Sequence, residues 1–239
     1  MKLPELLFGV ATSDHQAEAY DGDSPDFRDE WEKKQGQTPR GKATDFWNRY
    51  PEDIGLARDL GCKIFRFSIA WSRIEPQSGE FDASALDHYQ KVVQAVREAG
   101  MLPLVTLHHF TWPVYIEQRG GMTAKDFPQW YANYAKAVVE VIGDQVPYWV
   151  TFNEPNLLVY GYVKPWWQPG YLVPPGTLSG NTLSDQLDSA VLLIRNIFLA
   201  HRFARQVIQN KNPLAKVGAN PFVLGLPGPL QFVIDLLAN

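Results

Sequence analysis

Apolar residues in this chain fall into two kinds of stretch. Five are short and rich in branched or aromatic side chains: Leu7-Phe8-Gly9-Val10-Ala11, Ile64-Phe65-Arg66-Phe67-Ser68-Ile69, Leu102-Pro103-Leu104-Val105-Thr106-Leu107, Trp149-Val150-Thr151-Phe152 and Ala215-Lys216-Val217-Gly218-Ala219. Runs this short are too brief for a helix and read as buried strands. Between them, apolar positions recur at helical spacing. Leu86, Tyr89, Val93, Val96 and Ala99 form one such face, which Gly100 closes as a C-terminal cap does. Phe127, Trp130, Tyr134, Val138 and Val141 form a second, followed by Gly143, and Ala190, Ile194, Ile197, Phe198, Ala204 and Val207 a third. A shorter helix is expected from Ile54, Ala57, Arg58 and Leu60, ending at Gly61.

Strands alternating with helices imply parallel pairing through right-handed crossovers, hence an α/β sheet or barrel. Five strands already use up the 239 residues, so a complete eight-stranded barrel, which usually takes about 250, does not fit around helices and loops this long. No repeat, low-complexity tract or linker interrupts the pattern, and residues 1–239 are expected to form a single domain. The Pro- and Gly-rich segment 164–180 reads as a surface or active-site loop. Residues 224–239 read as a turn followed by a short apolar helix.

Composition narrows the class. With 45% hydrophobic and 20% charged residues, the chain reads as an ordinary soluble globular protein. Its net charge of -4 argues against nucleic acid or anionic lipid as a partner, since either needs a cationic field. The single cysteine, Cys62, has no intramolecular disulfide partner and is expected to be a small core residue. The first six residues lack a secretory signal and no apolar stretch is long enough to span a membrane, so a cytoplasmic location is expected. Trp71, Trp112, Trp166 and Trp167 fall outside the periodic segments, where an indole either stacks on a sugar ring or covers a core.

In α/β architectures functional groups gather at the C-terminal edges of the strands. The first strand places Thr12, Ser13, His15, Gln16 and Glu18 there, the second Arg66, Ser68, Trp71 and Arg73, the third His108 and His109, and the fourth Asn153 and Glu154. Glu154 is the best candidate for proton transfer. Pro155 disfavours a helical Glu154 and is expected to keep it extended, while Asn153 offers a donor and an acceptor beside it. The plainer alternative is a solvated glutamate at a strand–helix junction. Arg66 alternates with Phe65 and Phe67 on a buried strand, so its charge calls for a carboxylate, with Glu18 or Glu154 in reach. The alternative is a salt bridge that only orders the barrel floor.

His108 and His109 point to opposite faces of a strand, and no second histidine or cysteine motif accompanies them, so no metal site is expected. One imidazole is expected in the pocket and the other packed outside. Phosphate-loop, dinucleotide-loop and nucleophile-elbow patterns do not occur. A pocket of Gln, His, Asn and Glu rimmed with tryptophan suits a polyhydroxylated ligand.

The same residues carry a family resemblance. Phe8-Gly9-Val10-Ala11-Thr12-Ser13 with Gln16 and Glu18, Arg66-Phe67-Ser68-Ile69-Ala70-Trp71-Ser72-Arg73-Ile74-Glu75-Pro76, Val105-Thr106-Leu107-His108-His109-Phe110, Gly120-Gly121 and Thr151-Phe152-Asn153-Glu154-Pro155 resemble the successive motifs of glycoside hydrolase family 1. That family comprises β-glucosidases, β-galactosidases and their phospho-sugar relatives. The resemblance implies the first five βα units of a (β/α)8 TIM barrel and a retaining β-glycosidase acting on a β-linked glycoside or oligosaccharide without a cofactor. It makes Glu154 the general acid/base, places Asn153 on the sugar 2-hydroxyl and Gln16 and His109 on its other hydroxyls, and has Arg66 orient the nucleophile. Trp112 and Trp166 become contributors on the aglycone side, and Glu18 structural.

The sequence departs from the family at Ala19, Phe110, Thr111 and Met122, where Gly, Trp, Asp and Trp are common. The larger departure is that the second carboxylate, in a Thr-Glu-Asn-Gly-type motif, does not occur among these residues. Retaining hydrolysis needs two carboxyl groups about 5–5.5 Å apart. The expectation is therefore an N-terminal portion that carries the acid/base and lacks the nucleophile. The alternatives are an inactive sugar-binding remnant and a split-barrel subunit that takes a complementary fragment or self-associates.

Overall fold

Five strands, β1 (Gly9–Ala11), β2 (Ile64–Ser68), β3 (Leu102–Thr106), β4 (Tyr148–Asn153) and β5 (Lys216–Asn220), form one sheet in that order, each neighbouring pair parallel. The computed structural model describes residues 6–19, 22, 24–34, 36–38, 40–162 and 182–221. The expected loop at 164–180, with Trp166 and Trp167, and the expected tail at 224–239 lie outside the described residues. All five strands fall on the short apolar runs. Spatial order that follows sequence order, with helical crossovers throughout, is the arrangement of a partial (β/α)8 barrel. An open doubly wound sheet would reverse its order at a switch point, and this one does not.

Each crossover holds short helices near the strand's C-terminal end and then a long outer helix. After β1 come α1 (Asp14–Ala17), α2 (Phe27–Lys34) and α3 (Phe46–Asp59); after β2, α4 (Trp71–Ile74) and α5 (Ala83–Glu98). After β3 come α6 (Val114–Gln118) and α7 (Phe127–Ile142), and after β4, α8 (Pro155–Tyr162) and α9 (Leu183–Lys211). Local sequence explains their limits. The Asp82 side chain accepts from the N–H groups of Ser84 and Ala85 at the start of α5, and Gly100 just beyond its end has φ 76°, the left-handed conformation glycine adopts freely.

Gly143 works differently from a left-handed cap. Its φ is -55°, and a Cβ there would lie 2.7 Å from Lys211 Cγ and 3.0 Å from Val139 Cγ1, so the missing side chain makes room for the end of α9. Thr182 and Asp185 form a reciprocal capping box at the start of α9. That helix buries Ala190, Leu193, Ile197, Ala200, Ala204 and Ile208, but Leu187, Val191, Ile194 and Phe198 stand exposed on its other side, Phe198 to 68%. The apolar pattern therefore marks two faces, and Ile194 and Phe198 are not core residues among the described packing.

The core lies between the sheet and the outer helices. Trp71, Phe127, Tyr131, Tyr134, Trp149 and Phe152 are all buried there. Tyr134 stacks on Trp71 with ring centroids 4.7 Å apart, and its hydroxyl lies 3.1 Å from Ile69 O and 3.0 Å from Leu107 O. Cys62 packs half-buried against this core. Among the described residues, no helix is long and apolar enough to cross a membrane. Among the described residues, β1 and β5 each have a partner strand on one side only, and Phe8 beside β1 is 69% exposed.

Candidate active site

Four strands contribute polar side chains at the C-terminal edge of the sheet. Arg66 Nε donates to Thr106 Oγ1 at 2.9 Å, and Arg66 Nη2 donates to Asn153 Oδ1 at 2.6 Å. Asn220 Nδ2 donates to the same Asn153 oxygen at 3.2 Å. Arg66 thus lies among neutral oxygens, and among the described residues no carboxylate forms an ion pair with it, contrary to the pairing expected from its strand. Glu18 is engaged elsewhere: it accepts from Tyr89 Oη at 2.8 Å and from Arg73 Nε at 3.1 Å. Burial lifts its carboxyl to about 7 against the pull of Arg73. Thr106 and Asn220 are not among the candidates the sequence marks. Each is a polar residue closing an apolar strand run, and the strand-edge rule applied to every strand would find them.

Glu154 follows Asn153 directly, but its backbone is not extended. Its φ is 45°. Pro155 opens α8, where a proline without an N–H fits the first turn, and its ring bars Glu154 from the right-handed helical region. The pairing of β4 with β5 slips between Val150 and Asn153, and the Glu154 N–H donates to Asn220 O at 2.6 Å. Together these constraints place Glu154 in the left-handed region, a conformation that costs a non-glycine residue of order 1 kcal/mol or more. Phe110, next to His109, is in the same region with φ 70°. The Glu154 side chain is half-buried. Burial raises its carboxyl above the ordinary glutamate range, and the charge of Arg66 works against that rise.

The sign of this coupling gives a prediction. Removing the cation in Arg66→Met takes away the influence that lowers the Glu154 pKa, so its titration midpoint moves further up. The carboxyl carbon resonance of Glu154, followed against pH in both proteins, reads this directly. A midpoint that stays or falls would mean that Arg66 does not act on Glu154.

Both neighbouring imidazoles are held neutral. His108 is buried, lies against Trp112 and Phe152, and has neither ring nitrogen bonded among the described residues; burial pushes it down to about 3. His109 is half-buried and edge-on to Phe110. Burial takes its imidazole down to about 4, with the charge of Asp14 opposing and that of Arg66 assisting. Gln16 is exposed on α1, and its Oε1 accepts from Ser13 Oγ at 2.8 Å. Trp112 is fully buried rather than open to a ligand. Phe27 of α2 stacks on it at 3.9 Å and its Nε1 donates to Glu117 Oε2 at 2.7 Å.

One group of metal-ligand type is found among the described residues, His15 of α1 with Asp26 and Asp29. Its charges already have protein partners. His15 Nδ1 is 2.8 Å from Asp26 Oδ2 and its Nε2 3.2 Å from Glu32 Oε1, while Arg40 reaches Asp29 at 3.0 Å and Arg28 reaches Glu32 at 3.0 Å. These ion pairs tie α1 to α2.

The family described as Glycosyl hydrolase family 1 has a sequence model that matches residues 2–224. Beta-glucosidase A of Thermotoga maritima is 35% identical over 163 residues, covering 64% of this chain and 36% of that protein. A 6-phospho-beta-galactosidase of Clostridium acetobutylicum is 30% identical over 221 residues, covering 90% of this chain and 44% of that protein. Among solved structures, beta-glycosidase BGL167 superposes with a TM-score of 0.81 at 30% identity, over 98% of this chain and 60% of its own. The chain therefore spans less than half the length of these two curated relatives. With the motif order, the barrel topology and a match over nearly the whole sequence in agreement, this chain belongs to glycosyl hydrolase family 1.

Proposed function

We propose that these residues supply the acid/base half of a retaining β-glycosidase site that acts on terminal β-linked sugars of the glucoside type. In this reading Glu154 gives its proton to the glycosidic oxygen as the bond to the anomeric carbon breaks. A second carboxylate from outside the 239 residues attacks that carbon from the opposite face. Glu154 then takes a proton from the water that releases the sugar. The observation that carries the reading is the Arg66–Asn153 hydrogen bond beside a carboxyl raised by burial. Because Asn153 Oδ1 is already taken by Arg66 and Asn220, its Nδ2 is the side left to meet a sugar 2-hydroxyl. Gln16 and His109 bind other hydroxyls, His109 as a neutral imidazole. Arg66 supports the second carboxylate, which fits a guanidinium that has only neutral partners here. The chemistry calls for no cofactor.

A second reading concerns how the site is completed. The sides of β1 and β5 that have no partner strand among the described residues, with exposed Phe8 and the exposed apolar side of α9, fit docking of further barrel segments, whether from the same polypeptide or another.

Assay of the purified chain on an aryl β-glucoside, with and without a polypeptide carrying a Thr-Glu-Asn-Gly strand, tests both. At most trace turnover is expected alone, with restoration on mixing. Robust turnover by the chain alone overturns the placing of the nucleophile outside these residues, and turnover of an alkyl β-glucoside that survives Glu154→Gln overturns the role of Glu154. Absence of glucose or cellobiose binding in every mixture favours an inactive remnant. Parallel assay of the 6-phospho glycoside separates the two substrate types named among the relatives.

A further inference from the structure

Three candidate site residues each lie two positions from one buried carboxylate or from a residue that bonds to it. Gln16 is two residues after Asp14, Arg66 is two before Ser68, and His109 is two before Thr111. Asp14 is 3% exposed. Its Oδ1 accepts from Ser68 Oγ at 2.6 Å, its Oδ2 accepts from Thr111 Oγ1 at 2.8 Å, and its N–H donates to Ser68 Oγ at 2.7 Å. Ser68 and Thr111 are themselves buried. Both carboxylate oxygens are therefore held by hydroxyls, one from the last residue of β2 and one from the loop that follows β3, and no ion pair among the described residues involves Asp14.

A buried carboxylate without a cation is a costly choice where the only need is to fill space. What Asp14 provides that an apolar residue does not is directional bonding to two separate loops at once. We propose that Asp14 is a positioning residue whose carboxylate clamps the segments that follow β1 and β3 to the end of β2, so that Gln16, Arg66 and His109 are presented to one ligand. Its two partners lie 54 and 97 residues further along the chain. Its charge also bears on His109, opposing the effects of burial, Arg66 and Arg28 on that ring. That the ligand is a sugar rests on the glycosidase reading above.

Two measurements on the whole chain separate clamp from sugar. In the isotope-labelled protein, Thr111→Val removes one clamp bond, and the side-chain amide signals of Gln16 are expected to shift along with the imidazole signals of His109. The control Leu60→Ala, at the exposed end of α3, shifts neither. Movement of His109 alone would show a local bond only and overturn the clamp. Affinity for the glucose-configured iminosugar deoxynojirimycin is expected to fall about tenfold in Asp14→Ala. Asp14→Asn, which keeps the shape and the hydrogen-bonding capacity, recovers most of it. Equal loss in both variants overturns positioning in favour of a charge effect. If the Gln16 signals respond to Thr111→Val and the parent chain binds no iminosugar either alone or with the complementary polypeptide, the clamp stands and the sugar reading falls.

Discussion

Glu154→Gln is expected to lower kcat/KM for an alkyl β-glucoside by about 10²- to 10⁴-fold once the second carboxylate is supplied, and to leave it almost unchanged for a dinitrophenyl glucoside. The contrast follows from where the proton is needed. An alkoxide is a poor leaving group and must be protonated as the bond breaks, whereas a dinitrophenolate departs unaided. The later step still needs a base to activate water, so kcat falls for both substrates. A small anionic nucleophile such as azide, which needs no deprotonation, is expected to restore turnover of the dinitrophenyl glucoside and not of the alkyl one. Equal loss of kcat/KM on both substrates would show that Glu154 is not the proton donor. The raised carboxyl of Glu154 favours this role, because more of it carries a proton near neutral pH than an ordinary glutamate would.

The second large effect is on stability. Tyr134→Ala costs about 3–5 kcal/mol, as expected for deleting a fully buried aromatic side chain. It removes the ring that stacks on Trp71 and the hydroxyl that meets the carbonyls of Ile69 and Leu107. Tyr134→Phe keeps the ring and loses the hydroxyl, costing about 1 kcal/mol. Urea unfolding of the three proteins separates the terms. With total stability of a domain on the order of 5–15 kcal/mol, the alanine variant is left marginal. A cost under about 1 kcal/mol for Tyr134→Ala would mean that α7 does not hold the ends of β2 and β3.

The strands were legible because their information is local. Ile64 to Ser68 and Leu102 to Thr106 are short branched or aromatic runs, and nothing distant is needed to recognise them. The long helices α5 and α7 were legible for the same reason, through their spacing. The four- and five-residue helices α1, α4 and α6 are too short to show a period. What escaped sequence reading depends on partners far along the chain. Trp112 looks like a loop indole until Phe27, 85 residues earlier, is stacked against it. Arg66 looks in need of a carboxylate until Thr106 and Asn153 fold alongside. Even the motif residue Glu154 was read in the wrong conformation, because Pro155 excludes one backbone region but does not choose among the others.

That choice is made by Asn220. The carbonyl that receives the Glu154 N–H belongs to β5, and the pairing slip that precedes it is a property of two strands rather than one. The Asn-Glu-Pro sequence is consequently not portable: grafted onto the strand of another barrel, it would bring the carboxyl without the backbone that aims it. A transplant has to include the neighbouring strand, and the unit of inheritance for this site is a strand pair.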